Sequence, residues 1–191
     1  GDVTRHEIRR ELHAREGEIE CARHRLHEQR LREPRHADEH DVSPREECRD
    51  EIIDDILQVN FRGVMATIRA FLPLLKASGD SLIVNISSIA GFTGTGSNLA
   101  YVAAKAGLDV VGDSLARLLA PTVRVLTVSP GVVDSTFVPG RGADFNEKAA
   151  ATIPLKRIGH VDDIGAAVQA CATTLRYATG TRIVVDGGRH L

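Results

Sequence analysis

The sequence predicts an α/β fold built on a parallel sheet. Three short runs, at residues 81–87, 122–128 and 182–186, have strand length and are apolar at most positions, the pattern of strands buried on both faces. Longer stretches with helical periodicity separate them, and strands that alternate with helices fold as layered β-α-β units. At 191 residues the chain is long enough for one domain with a substantial core.

Composition divides the chain near residues 45–50. Six of the eight histidines precede residue 41, among crowded Arg and Glu, whereas from Glu51 onward the sequence is rich in Ala, Val and Gly. A charged segment, 1–48, therefore precedes a patterned portion, 49–191. Within 5–32 a narrow stripe of Ile8, Leu12, Ile19, Ala22 and Leu26 allows a very polar helix, interrupted by Arg15 and weakened by Gly17. Pro34 should end it, and PRHADEHDVSP reads as a linker. His24, His27, His36 and His40 fit no structural zinc spacing and have no Cys or acidic set to complete them, so no metal is expected.

From about residue 44 to 76, Ile52, Ile53, Ile56, Val59, Val64, Ile68, Phe71 and Leu75 approximate one helical stripe, with Pro73 near its end. The strand SLIVNIS follows. Gly91, Gly94 and Gly96 come next, spaced G-x-x-G-x-G rather than the G-x-G-x-x-G of a dinucleotide loop. A helix over about 98–119 is rich in Ala and Leu, and its small residues near the start permit close packing. Pro121 and a second strand lead to Ser129-Pro130-Gly131, by itself only a turn. Residues 136–156, with Phe137, Arg141, Phe145 and Lys148, should form a loop and short helices. Asp162 and Asp163 suit the start of another helix, and His160 reads as a turn residue. The last strand ends in Asp186-Gly187-Gly188.

Charge and cysteine usage exclude several classes. A net charge of −2 gives no reason to expect nucleic acid or an anionic membrane as partner. No apolar run approaches the ~20 residues that span a bilayer, and GDVTRHEIRR is not a signal peptide. Cys21, Cys48 and Cys171 lack disulfide or metal spacing, which points to reduced thiols and a cytoplasmic location.

The chemistry concentrates in NISSIAGFTGTGSNLAYVAAK, residues 85–105. Tyr101 and Lys105 lie one helical turn apart and share a face. A free phenol, with a pKa of about 10, is a poor base at neutral pH. A neighbouring cation favours the phenolate and makes such a ring usable as a general acid/base. Ser88 ends the preceding strand thirteen residues before Tyr101, where its hydroxyl can hold a substrate oxygen. Together they suggest proton transfer coupled to a change at a carbonyl or alcohol.

This order of strand, Ser pair, Gly loop, Tyr, Lys, long helix and strand ending in Ser129-Pro130-Gly131 resembles the short-chain dehydrogenase/reductase family. The resemblance implies a Rossmann-like doubly wound parallel sheet, truncated at its N-terminal side, and an NAD- or NADP-dependent oxidoreductase. It makes Ser88, Tyr101 and Lys105 the catalytic set, with the spacing to Tyr101 favouring Ser88 over Ser87. Asn60, in VNFRG, corresponds to the Asn that distorts the family's interface helix and holds a proton-relay water. Tyr101 and Lys105 also face the cofactor. Pro130, Gly131, Val133 and Ser135 match the turn that meets the nicotinamide. A small-molecule alcohol or carbonyl substrate and a homo-oligomer, dimer or tetramer, are implied as partners.

The resemblance covers about residues 50–191, with a trace at Asp2-Val3-Thr4. The first strand, its Gly-rich phosphate loop and the second strand have no counterpart here, nor does anything between Arg5 and Cys48 read as the next buried strand and turn. That stretch is either translated in a shifted frame or has diverged into a charged arm. The missing strands would leave an unpaired apolar edge on the sheet. Two function classes stay open: an active reductase, and a catalytically silent relative serving as an interaction or structural subunit.

Overall fold

A computed structural model describes residues 52–135 and 144–191. The charged segment 1–48, its polar helix and linker, Asp2, Cys21, Cys48, the helix start at 44, and Phe137 and Arg141 lie outside the described residues.

Helix α1 runs over 52–78 and includes one π-helical turn, Gln58–Arg62, before the regular stretch Gly63–Ser78. Gly79 closes it in the left-handed conformation, φ 74°, which glycine adopts without steric penalty. Strand β1, Ser81–Ile86, follows, then a short helix α2, Ala90–Thr93, inside what the sequence presents as a loop. Helix α3, Leu99–Leu119, starts where the Asn98 side chain accepts a hydrogen bond from Tyr101 N, an N-cap that satisfies one of the free first-turn donors. Strand β2, Val123–Pro130, helices α4, Phe145–Thr152, and α5, Val161–Thr173, and strand β3, Thr181–Val185, complete the order.

The sheet is parallel, in the order β1-β2-β3. Strand β2 extends two residues beyond the apolar run because Ser129 and Pro130 pair with Val184 and Val185 of β3. Alternation along the strands builds two cores. On one face Ile83, Val123 and Val125 meet Ile68 of α1 and Ala116 and Leu119 of α3. On the other, Leu126, Val128, Ile183 and Val185 meet Cys171, Ile164 and Val168 of α5. Both faces of β2 are covered, which explains why apolar residues fall on both of its faces. Burial of each such side chain contributes about 1.5–3 kcal/mol. Cys171 is buried with a free thiol.

His160 caps α5. Its ring accepts from Asp162 N, and the Asp163 carboxylate accepts from His160 N at 2.7 Å, a reciprocal capping box. Asp163 also pairs with Arg157 through two hydrogen bonds, 2.7 and 3.0 Å. The Arg157 guanidinium, then the His160 amide, hold its carboxyl at about 2 against an ordinary 3.8. A depressed carboxyl stabilises the fold above its unfolded value and stops doing so as pH falls through the folded one. Asp163→Asn should therefore lower the thermal midpoint at pH 7. That deficit should shrink as pH drops from about 4 towards 2, read by thermal denaturation of both proteins across the range.

Candidate active site

Strands of a parallel sheet point their C-terminal ends the same way, and the candidate residues gather at that end. At the end of β1, Ser87 N donates to Val128 O at 2.8 Å and Ile89 N to Pro130 O at 3.0 Å, tying the Ser pair to β2. The two serines then part. Ser87 is buried, and its hydroxyl donates to Lys105 O at 3.3 Å. Ser88 is half-buried, and its Oγ accepts from Ala90 N at 3.2 Å as α2 begins. Only the Ser88 hydroxyl remains accessible to a ligand.

Helix α3 brings Tyr101 and Lys105 to the same place. Lys105 is 8 % exposed, its Nζ donates to Ile86 O at 3.0 Å, and it lies 5.5 Å from the centre of the half-buried Tyr101 ring. Ile86 is two residues before Ser88, so one ammonium anchors the helix bearing Tyr101 to the strand bearing Ser88. Burial pulls the Lys105 ammonium below its ordinary value, and the negative charge of Asp109 opposes that pull. Glycines permit the close packing. A Cβ on Gly96 would lie 2.9 Å from Val102 and 3.5 Å from the Tyr101 ring, and one on Gly91 would lie 2.9 Å from Lys105 C.

Asn60 sits at the centre of the π-helical turn, half-buried, and its side-chain amide donates to Ile56 O at 3.1 Å. The next residue, Phe61, rests on α3: a Cβ on Gly107 would stand 3.2 Å from its ring.

The turn after β2 is held from below. Gly131 N donates to Val185 O at 3.0 Å, and a Cβ on Gly131 would stand 2.6 Å from the Asp186 Cβ, so the position excludes larger residues. Asp186 is itself fixed by Gly188 N and by His190, whose ring lies 2.8 Å away. Burial raises its carboxyl, but the His190 and Gly188 contacts outweigh this and hold it below the ordinary value. Val133 forms a parallel bridge with Gly159; Gly159 N donates to Val132 O and Asp134 N to Gly159 O. Ser135, exposed, is the last described residue before 136–143.

Residues 37–190 match the family model described as enoyl-(acyl carrier protein) reductase. The chain belongs to the short-chain dehydrogenase/reductase family. It is 34 % identical over 131 residues to the short-chain dehydrogenase/reductase homolog YusR of Bacillus subtilis, covering 68 % of this chain and 99 % of that one. It is 33 % identical to the 3-oxoacyl-[acyl-carrier-protein] reductase FabG of Staphylococcus epidermidis, over 72 % of this chain and 57 % of FabG. Among solved structures, the NADPH-bound short chain oxidoreductase of Pseudomonas aeruginosa, described as containing an atypical catalytic center, aligns at TM-score 0.66 and 34 % identity. That alignment covers 73 % of this chain and 57 % of the other. The chain thus spans little more than half the length of FabG and of this structural relative, and its sheet is a Rossmann-type sheet consistent with truncation.

Two residues that sequence reasoning passed over belong to this region. Asp109 lies one turn beyond Lys105 and is buried, and Arg182 Nη2 of β3 approaches its Oδ2 at 2.9 Å. The signal was available: an acid four residues after a lysine, on the same face of a helix. Gly91→Ala would push a methyl against Asp109 Oδ2 and the α3 backbone at 2.9–3.0 Å. It should destabilise the protein by about 1–3 kcal/mol, measured as a lower urea midpoint.

Proposed function

We propose that this chain is the catalytic portion of an NAD(P)-dependent oxidoreductase that interconverts an alcohol and a carbonyl. The observation that carries the reading is the anchorage of Lys105 beneath the Tyr101 ring and beside the strand end bearing Ser88. In this reading Ser88 orients the substrate oxygen and Tyr101 exchanges a proton with it. Lys105 supplies a positive charge beside the Tyr101 ring. Asn60, in its widened helical turn, holds a water that carries the proton onward to solvent. The cofactor supplies or accepts the hydride when bound.

The residues present fit the nicotinamide end of such a cofactor. Among the described residues Lys105 Nζ spends one of its three protons, on Ile86 O, which leaves donors for a ribose hydroxyl beside Tyr101. Pro130, Gly131, Val133 and Ser135 would meet the nicotinamide amide along the turn that Asp186 supports. FabG and the Pseudomonas oxidoreductase, by their names, act as reductases or bind NADPH, which agrees with this choice. The pyrophosphate end is different. Among the described residues no Gly-rich turn joins a strand to a helix with dinucleotide spacing. The second reading is a catalytically silent member acting as an interaction or structural subunit.

Titration of the chain with NADH and NADPH by fluorescence separates the two. Saturable binding that Lys105→Ala weakens at least about tenfold is expected. In a protein that turns over, Tyr101→Phe should cost ~10²–10⁴ in rate while leaving the nucleotide bound. Failure of folded protein to bind either nucleotide overturns the enzyme reading.

A further inference from the structure

Beneath α3 the sheet changes from apolar to polar along its length. Asn85, Thr127 and Arg182 stand in register on the three strands, on the face that α3 covers, and Asn85 and Thr127 are both buried. Gly112 lets the helix settle on this row: a Cβ there would lie 3.1 Å from Thr127 Oγ1 and 3.2 Å from Asn85 Nδ2. Asp109 enters the layer from the helix with 3 % of its surface exposed. A buried carboxylate is costly unless charge and hydrogen bonds compensate it, and the proposed reduction makes no direct use of Asp109.

Arg182 does not by itself account for the carboxylate. Its Nη2 is 2.9 Å from Asp109 Oδ2, yet the angle is too poor for a hydrogen bond, and among the described residues neither carboxylate oxygen has one. The guanidinium instead stacks on Phe92 of α2, 4.8 Å from the ring centre. The other cation on this helical face is Lys105, one turn earlier, which feels the Asp109 charge without a direct ion pair among the described residues. Ser87 lies between, its hydroxyl bonded to Lys105 O. Glycine at 91 keeps the space, since a Cβ there would stand 2.9 Å from Asp109 Oδ2.

We infer that Asp109 is a positioning residue for the Lys105 ammonium, its buried carboxylate being the counter-charge shared between Lys105 on α3 and Arg182 on β3. The importance of this role rests on the reductase reading, in which Lys105 acts on Tyr101. The charged and hydroxyl groups acting on the carboxylate are Lys105 and Asp113 on α3, Ser87 just after β1 and Arg182 on β3, and Gly91 of α2 packs against it. Burial raises the Asp109 carboxyl, against the Ser87 hydroxyl and the Arg182 and Lys105 charges, with Asp113 adding to the rise. Removing the carboxylate would leave two cations in one buried layer without an anion, and the lysine is the one that can release its proton.

The test follows the Lys105 side chain by NMR in the full chain carrying ¹³C-labelled lysine. The chain has four lysines, and Lys105→Arg identifies the resonance. Asp109→Asn should move the Lys105 midpoint to lower pH by roughly one unit or more, while Asp109→Glu keeps it near the parent value. An unmoved midpoint in folded Asp109→Asn overturns the inference. If that variant does not fold, the unaltered chain decides. Its Lys105 Cε resonance should show a second inflection, above the usual carboxylate range, as Asp109 protonates, and absence of that inflection overturns the proposal. NADPH titration of the same samples reads the reductase proposal separately. A moved lysine without nucleotide binding sinks only the enzyme, and binding with an unmoved lysine sinks only the role of Asp109.

Discussion

The close approach of α3 to the sheet sets the terms for everything around it. A helix can settle this near a strand only where its contact positions lack side chains, and Gly112 over Thr127 and Asn85 meets that condition. Gly107 does the same for the Phe61 ring of α1. With the helix so low, the side chains of its buried face must end inside the sheet layer. Leu108, Ala116 and Leu119 find apolar partners there, whereas Lys105 and Asp109 arrive over the polar strand ends. The ammonium reaches Ile86 O, with the Tyr101 ring one turn earlier on the same helix. A single helical register therefore positions both the Tyr101–Lys105 pair and the buried charge that accompanies it.

Buried charge of this kind rarely adds net stability, because desolvation offsets most of the Coulombic gain. Its presence under the most tightly packed helix is better understood as a specification of geometry. On that face Ile83, Val123 and Val125 are apolar and do not by themselves select one rotation of the helix about its axis. The row of Asn85, Thr127 and Arg182 under Gly112 favours the rotation that brings Asp109 to Arg182. Polar groups at the strand ends thus fix the helix rotation, and the helix rotation fixes Tyr101.

Much of this was legible in the sequence. The strands appear within a residue or two, because runs such as 81–87 have an apolar centre bounded by polar residues and β2 is covered on both faces. The start of α3 was placed near Asn98, and Asp162 and Asp163 marked the start of α5; the capping roles of the Asn98 and His160 side chains came from the coordinates. The spacing of Tyr101 and Lys105 put them on one face of a helix, and the surrounding strand, Ser pair and Gly loop singled them out. The helix Ala90–Thr93 was hidden, since a four-residue turn among glycines carries no periodicity. The serine pair needed coordinates to separate a buried Ser87 from an accessible Ser88. Arg182 was hidden for another reason: its partner on the helix lies 73 positions away in the chain, and no local pattern encodes such a contact.

The π-helical turn around Asn60 bears on how this family can tolerate changes in length. Each residue of a regular helix advances about 100° around its axis, and the extra residue in Gln58–Arg62 rotates everything upstream by that amount relative to Gly63–Ser78. The apolar stripe read through Ile52, Ile56 and Val59 is consequently out of phase with the one through Val64 and Ile68, and Val59 is 72 % exposed. Deleting one residue here would restore ideal helical hydrogen bonding and still be harmful. It would straighten the two stripes into one, carry Asn60 away from Ile56, and turn residues 52–57 towards a different neighbour. Two contacts accompany the irregular backbone, the Asn60 amide on Ile56 O and the Phe61 ring against Gly107 of α3.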